Sequence, residues 1–257
     1  MKKPKILFFD IETTPNLVFT WRLGKQYVTM DNIHKERKIS CICYKWQGES
    51  KIHSLQMNMD LHDLTKHDDT ADYKMLSDFC KVYQEADMAV GHNAIKFDIG
   101  FIRSRLVKYK IGDIAPTIVD DTYLATKGIS FNSHKLDYLS QYLGVGKKAP
   151  HPYELWRKVM SGDKKALTDT VNYCKQDVRL LESVYNKLLP YMKSKLNRAA
   201  FAQDPNKCPS CGEKALIGRG TQTTVTWGVR QRMSCQKCGK WCTTGSKALI
   251  SSKEYPR

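Results

Sequence analysis

Asp10 and Glu12 stand two residues apart at the end of the apolar run Ile6-Leu7-Phe8-Phe9. Side chains at i and i+2 of an extended backbone project to the same side, so these two carboxylates can share one divalent cation through hard oxygen ligands. A third acid, Asp98, closes the stretch Gly91-His92-Asn93-Ala94-Ile95-Lys96-Phe97-Asp98, where a short apolar strand gives way to a turn and a helix begins. Such a position also suits an ordinary helix N-terminal charge. Tyr173 and Asp177 are four residues apart in a strongly helical segment, which puts phenol and carboxylate on one face about 6 Å apart along the axis. Each feature alone has a structural explanation. Brought together, four carboxylates and a phenol suit metal-assisted phosphodiester hydrolysis, which needs an activated water and neutralised charge on the attacking and leaving oxygens.

A second set of chemistry-bearing residues lies near the C-terminus. Cys208-Pro209-Ser210-Cys211 and Cys235-Gln236-Lys237-Cys238 are two C-x₂-C pairs separated by 23 residues. That spacing predicts a closed four-thiolate structural zinc site, with Cys242 as a spare that competes with Cys238 for the fourth position. Cys41, Cys43, Cys80 and Cys174 lie singly in apolar segments and read as small buried hydrophobes without chemistry.

The elements that must position these groups alternate between periods of two and 3.6. Lys5 to Phe9 predicts a buried strand, and Lys38 to Trp46 followed by Lys51 to Leu55 predicts a hairpin around Gln47-Gly48-Glu49-Ser50. Helical spacing of Met75, Leu76, Phe79, Val82 and Tyr83 predicts a helix over 72–85, followed by a strand over 87–91. A helix from about Phe97, a short strand at Ile118 to Asp121, a short helix over 135–143 and one or two long helices over 167–196 complete the pattern. Residues 15–37 have no clear period and carry no assignment. The fold class is α/β, with a mixed central sheet flanked by helices, and the expected boundaries are residues 1–196 for the main domain, 197–207 for a linker and 208–257 for a zinc module.

In order and context, the three acidic segments resemble the DEDD superfamily of 3′-to-5′ exonucleases. Asp10-Ile11-Glu12-Thr13 matches its first motif, Asn93-x-x-x-Phe97-Asp98 its second, and Tyr173-x-x-x-Asp177 its third in the tyrosine subclass. Asn172 occupies the position where the histidine subclass would carry its histidine. The texture is similar to the proofreading domain of family B DNA polymerases over most of residues 5–190, without any polymerase domain beside it. The resemblance implies a ribonuclease H-like fold and two Mg²⁺ or Mn²⁺ ions. It implies that Asp10 bridges both, that Glu12 and Asp177 complete the one that activates water, and that Asp98 holds the other mainly through ordered water. By the same likeness Tyr173 orients the attacking water, and Thr13, Asn93 and Phe97 touch the terminal nucleotide. The expected products are nucleoside 5′-monophosphates. The C-terminal segment resembles a zinc ribbon.

The formal net charge of +16 favours a polyanionic partner. Residues 187–257 hold 14 Lys+Arg against 3 Asp+Glu and carry most of the excess. There Arg230 and Arg232, with Trp227, have the chemistry for backbone contact and base stacking. DNA is the expected substrate, preferentially single-stranded or frayed at its 3′ end. RNA on the same fold and a noncatalytic nucleic-acid adaptor are the alternatives, and a DNA polymerase or another replication or repair protein is a candidate partner. Nothing in the sequence reads as a membrane span or export signal, so the cytoplasm of a bacterium or of a virus-infected host cell is expected.

Overall fold

The computed structural model describes residues 3–66, 69–150, 152–192, 194–224 and 228–243. The chain divides into two compact units, one spanning Lys5–Tyr185 and the other comprising Met1–Pro4 and Asn186–Arg257. The first is built on a five-stranded sheet of β1 (Ile6–Thr13), β4 (Ile39–Trp46), β5 (His53–Gln56), β6 (Met88–Gly91) and β7 (Ile118–Asp121), in the order β5-β4-β1-β6-β7. β1 runs antiparallel to β4 and parallel to β6, so the sheet is mixed, as the alternating strand and helix signals predict. Helices α1 (Tyr73–Tyr83), α2 (Asp98–Tyr109), α3 (Thr122–Ala125), α4 (Leu136–Tyr142), α5 (Tyr153–Met160) and α6 (Lys164–Leu188) accompany it. Among the described residues no helix is long and apolar enough to cross a membrane.

β1 is the central strand, and its alternation decides where the acids point. Phe9 packs on Phe79 and Tyr83 of α1, with ring centroids 5.6 Å and 5.9 Å apart, and Leu7 and Ile11 join the same cluster. Phe8 turns the other way and meets Tyr185 of α6 edge-on at 5.4 Å. Asp10 and Glu12 follow Phe8 at intervals of two, so they share its α6-facing side. On α6 the buried residues Val171, Cys174, Val178, Leu181 and Tyr185 recur at three and four, the period of one helix face.

Several boundaries differ from the sequence expectation. β1 continues through Thr13, because Asp10, Ile11 and Glu12 pair with Cys43, Ile42 and Cys41 of β4. The long helical pattern ends at Leu188 rather than running to Leu196, since Pro190 lacks an amide donor and its ring disfavours helical backbone before it. α5 had no prediction; its apolar face is short and buries only Val159 and Met160. Residues 15–37, left unassigned, contain a small hairpin of β2 (Leu17–Val18) and β3 (Ile33–Lys35) around a long connection.

Two buried ionic clusters tie loops to this frame. Asp72 accepts from Arg105 Nε and Nη2 at 2.9 and 2.8 Å, from Tyr109 Oη at 2.5 Å and from the Ile39 amide at 3.1 Å. Asp69 accepts from Lys35 Nζ at 2.6 Å and from Lys38 Nζ, with all three side chains almost wholly buried.

The second unit holds α7 (Arg198–Phe201) and a three-stranded antiparallel sheet of β8 (Leu216–Thr224), β9 (Gly228–Cys235) and β10 (Trp241–Thr243), in the order β10-β9-β8. Within residues 197–207 Asn197 caps α7 by accepting from the amides of Ala199 and Ala200. Arg198 reaches the first cysteine knuckle through Nη1 to the Ser210 carbonyl at 2.7 Å.

Replacing Asp72 by Ala leaves Arg105 buried without its carboxylate, and a loss of about 3–5 kcal/mol is expected. Urea unfolding of the variant beside the parent measures it.

Candidate active site

The sheet and α6 bring the acids of three separate segments together. One carboxylate oxygen from each of Asp10, Glu12 and Asp177 lies within 4.8 Å of the others, close enough to hold a cation. Asp98 adjoins this group but is turned aside, accepting from the Ile11 amide at 3.1 Å. Its position depends on the turn before it. Gly91 has no room for a side chain, because a Cβ there would lie 2.3 Å from that of Ala94. Asn93 adopts a left-handed φ of 63°. Asp121, from the end of β7, accepts from the amides of Asn93 and Ile95 at 2.9 and 3.1 Å and fixes the turn.

Burial and mutual repulsion set the electrostatics. Asp10 is pushed well above the usual carboxylate range, first by burial and then by Asp98, Glu12 and Asp177. Burial, followed by Asp177, raises Glu12 to about 8, and burial raises Asp98 to about 7 against the opposing Ile11 hydrogen bond. Asp177 is raised by burial, with Lys148 pulling the other way. Asp177 Oδ1 is buried and has no hydrogen-bond partner among the described residues. An orphaned buried carboxylate oxygen beside two further carboxylates fits a hard divalent cation, which would replace protons and satisfy the lone pairs.

Lys148 is the charged residue that the sequence reading missed. Its Nζ lies 2.5 Å from Asp177 Oδ2 and 5.1 Å from the centre of the Tyr173 ring. Burial alone would lower this ammonium, but Asp177 outweighs it and Lys148 stays above its ordinary value. Tyr173 is likewise raised, by burial first and Asp177 second, so its phenol is protonated at neutral pH. The loop bearing Lys148 docks on α6: Gln176 Nε2 donates to the Lys147 carbonyl at 3.0 Å and Gln176 Oε1 accepts from the Ala149 amide at 3.3 Å. Gly146 lets it come close, since a Cβ there would meet Leu180 at 2.8 Å. The run Gly144-Val145-Gly146-Lys147-Lys148 was the available signal.

The chain belongs to the RNase H superfamily. The superfamily's model matches residues 43–189, more than half of the sequence, and no curated protein matches the chain. The match takes in Asp98, Tyr173 and Asp177. Asp10 and Glu12 precede it and reach the RNase H-like site through their pairing with β4.

Thr13 and Phe97 line one cleft of about 370 Å³ with Glu12, Asn16, Arg37, Tyr153 and Trp156. Asn93 lies in the turn fixed by Asp121 rather than among the residues lining that cleft. Three of the four cysteines first read as inert also belong near the site. Cys41, Cys43 and Cys174 cluster within 4.8 Å, and Cys174 Sγ lies 3.5 Å from the Asp10 carbonyl oxygen.

In the second unit Cys208, Cys211, Cys235 and Cys238 converge within 4.8 Å, an arrangement that can hold a metal ion, and Cys242 is not part of the group. Arg232 lies over the Trp241 ring at 5.0 Å, Arg230 is on β9, and Trp227 falls outside the described residues.

Protons on Glu12 and Asp98 compete with cations, so Mn²⁺ affinity is expected to rise from pH 6 to pH 8 by isothermal titration calorimetry. For the metal-free chain the sign is opposite. Carboxyls raised in the folded state hold more protons than in the unfolded chain between about pH 4 and 8. The melting temperature should therefore fall across that interval and recover on adding Mn²⁺.

Proposed function

We propose that this RNase H-superfamily chain is a 3′-to-5′ exonuclease of the tyrosine subclass, releasing nucleoside 5′-monophosphates from DNA with preference for single-stranded or frayed 3′ ends. The observation that carries the reading is the convergence of Asp10, Glu12 and Asp177, with Asp98 beside them and Tyr173 one helical turn before Asp177. Two Mg²⁺ or Mn²⁺ ions held by these carboxylates would supply an acidified water and neutralise the charge developing on the phosphate.

The chain's own residues account for the rest. Tyr173, protonated, donates a hydrogen bond that orients the attacking water rather than removing its proton. Lys148 keeps its charge and stands between Asp177 and the Tyr173 ring, where it offsets negative charge on the carboxylate side and can meet a phosphate oxygen. Thr13 and Phe97 border the cleft with Glu12 and are suited to grip the terminal sugar and stack on its base. Asn93, in the turn fixed by Asp121 and outside the lining of that cleft, would reach the terminal nucleotide only from beyond its wall.

The four-cysteine knot is read as a zinc ribbon, with Arg230, Arg232 and Trp227 as contacts for the nucleic-acid backbone and bases. A fifty-residue segment with few apolar residues needs such a staple. Substituting Cys211 by Ser is expected to release one equivalent of zinc, detected colorimetrically. Equal zinc content in variant and parent would contradict the assignment.

End-labelled single-stranded DNA, duplex DNA and RNA, each incubated with Mg²⁺ or Mn²⁺, test the activity. Shortening from the 3′ end should be fastest on single-stranded DNA and absent for Asp98→Ala. Equal degradation of RNA would overturn the DNA preference, and no cleavage of any substrate would favour an adaptor. Lys148→Ala is expected to lower kcat by roughly 10²-fold, the effect of removing one electrostatic stabiliser.

A further inference from the structure

The connection between β2 and β3 carries the largest run of exposed apolar side chains on the described surface, and no step of the chemistry uses it. Trp21 and Leu23 are fully exposed, Tyr27 and Met30 nearly so, and Phe19 is two-thirds exposed. A monomeric surface gains nothing by leaving such side chains in water, so a run of them along one segment points to a contact surface. The arm is not a loose tail. Its strands pair as Leu17 with Lys35 and Val18 with Ile33, and the Phe19 amide donates to the Asn32 carbonyl at 2.9 Å. Below them the Arg37 amide donates to Asn16 Oδ1 at 2.8 Å, and the Lys35–Asp69–Lys38 cluster anchors the root in the protein interior.

Two further facts identify the occupant. The arm interleaves its aromatics with Arg22 and Lys25 and has no carboxylate between Leu17 and Met30. Its root also forms the wall of the catalytic cleft: Pro15, Asn16 and Arg37 line the same hollow as Glu12, Thr13 and Phe97. A strand whose end lies at the carboxylates has its next nucleotides at this rim. Flat aromatic faces alternating with cations match unpaired bases on a phosphate backbone, because every base offers a stacking face and every phosphate a negative charge.

We propose that the arm, through Trp21 and Tyr27, is a base-stacking platform that holds unpaired nucleotides of a nucleic-acid strand whose 3′ end occupies the cleft. This rests on the exonuclease reading and adds a substrate-binding site outside the catalytic groups. The platform contributes affinity that depends on bases, whereas the cleft contributes recognition of the terminus.

The test uses the full chain carrying Asp98→Ala with Mg²⁺, and fluorescence anisotropy of a labelled twelve-residue oligothymidylate beside an abasic oligomer of the same length and charge. Trp21→Ala together with Tyr27→Ala should weaken oligothymidylate binding by at least roughly tenfold, leave the abasic oligomer unaffected, and be largely rescued by Trp21→Phe with Tyr27→Phe. In the otherwise unaltered chain the same pair should leave hydrolysis of a dinucleotide, too short to reach the arm, at the parental rate. Unchanged oligothymidylate binding overturns the proposal, as does an equal loss on the abasic oligomer or a loss of dinucleotide cleavage. A parent that binds the oligomer with this base dependence but never cleaves it sinks the exonuclease reading and leaves the platform standing. A parent that cleaves while the arm variants bind normally does the reverse.

Discussion

Carboxylates gathered within 4.8 Å of one another in a buried place repel, and the fold around them is arranged to hold that unfavourable charge in position. The central strand supplies two of them just beyond the stretch where β6 pairs with it, held there by β4 alone, after Phe8 and Phe9 have anchored the strand by aromatic packing on either face. The long helix supplies the third, and Asp98 at the start of α2 adjoins the group while accepting from the Ile11 amide. Each comes from an element with apolar contacts of its own away from the site. Repulsion within the cleft is thus opposed by packing outside it, and the acids remain poised for a cation instead of relaxing apart.

The parts of this arrangement readable in the sequence are those governed by short periods. Alternation along Ile6 to Glu12 set the facing of two acids, and the i, i+4 spacing of Tyr173 and Asp177 set the third contribution. The strands of the sheet were legible for the same reason. What was not legible depends on long-range placement. Lys148 has no local pattern linking it to Asp177, and the contact depends on the loop docking on α6 through Gln176, with Gly146 in a backbone conformation that favours glycine. Cys41, Cys43 and Cys174 looked apolar in their own segments, yet strand pairing and one helix face bring them together beneath Asp10. The hairpin over residues 17–35 has only two paired strand positions, too few to produce alternation, and its exposed aromatics obscured even that.

The second unit solves a different problem by a different route. Its sheet leaves most side chains of β8 and β9 in contact with water, so apolar burial contributes little, and the two knuckles converge where a core would otherwise be. Local hydrogen bonds shape each knuckle: Gly212 donates to the Cys208 carbonyl at 2.9 Å and Gly239 to that of Cys235 at 2.8 Å.

Lys148 bears on an awkwardness common to acid-lined sites. An anionic substrate moving towards a hollow of carboxylates is driven off before short-range contacts can form. A cation carried by the polypeptide itself, already seated against Asp177, offsets part of that negative charge. Mobile counter-ions come and go with concentration, whereas this one is tethered.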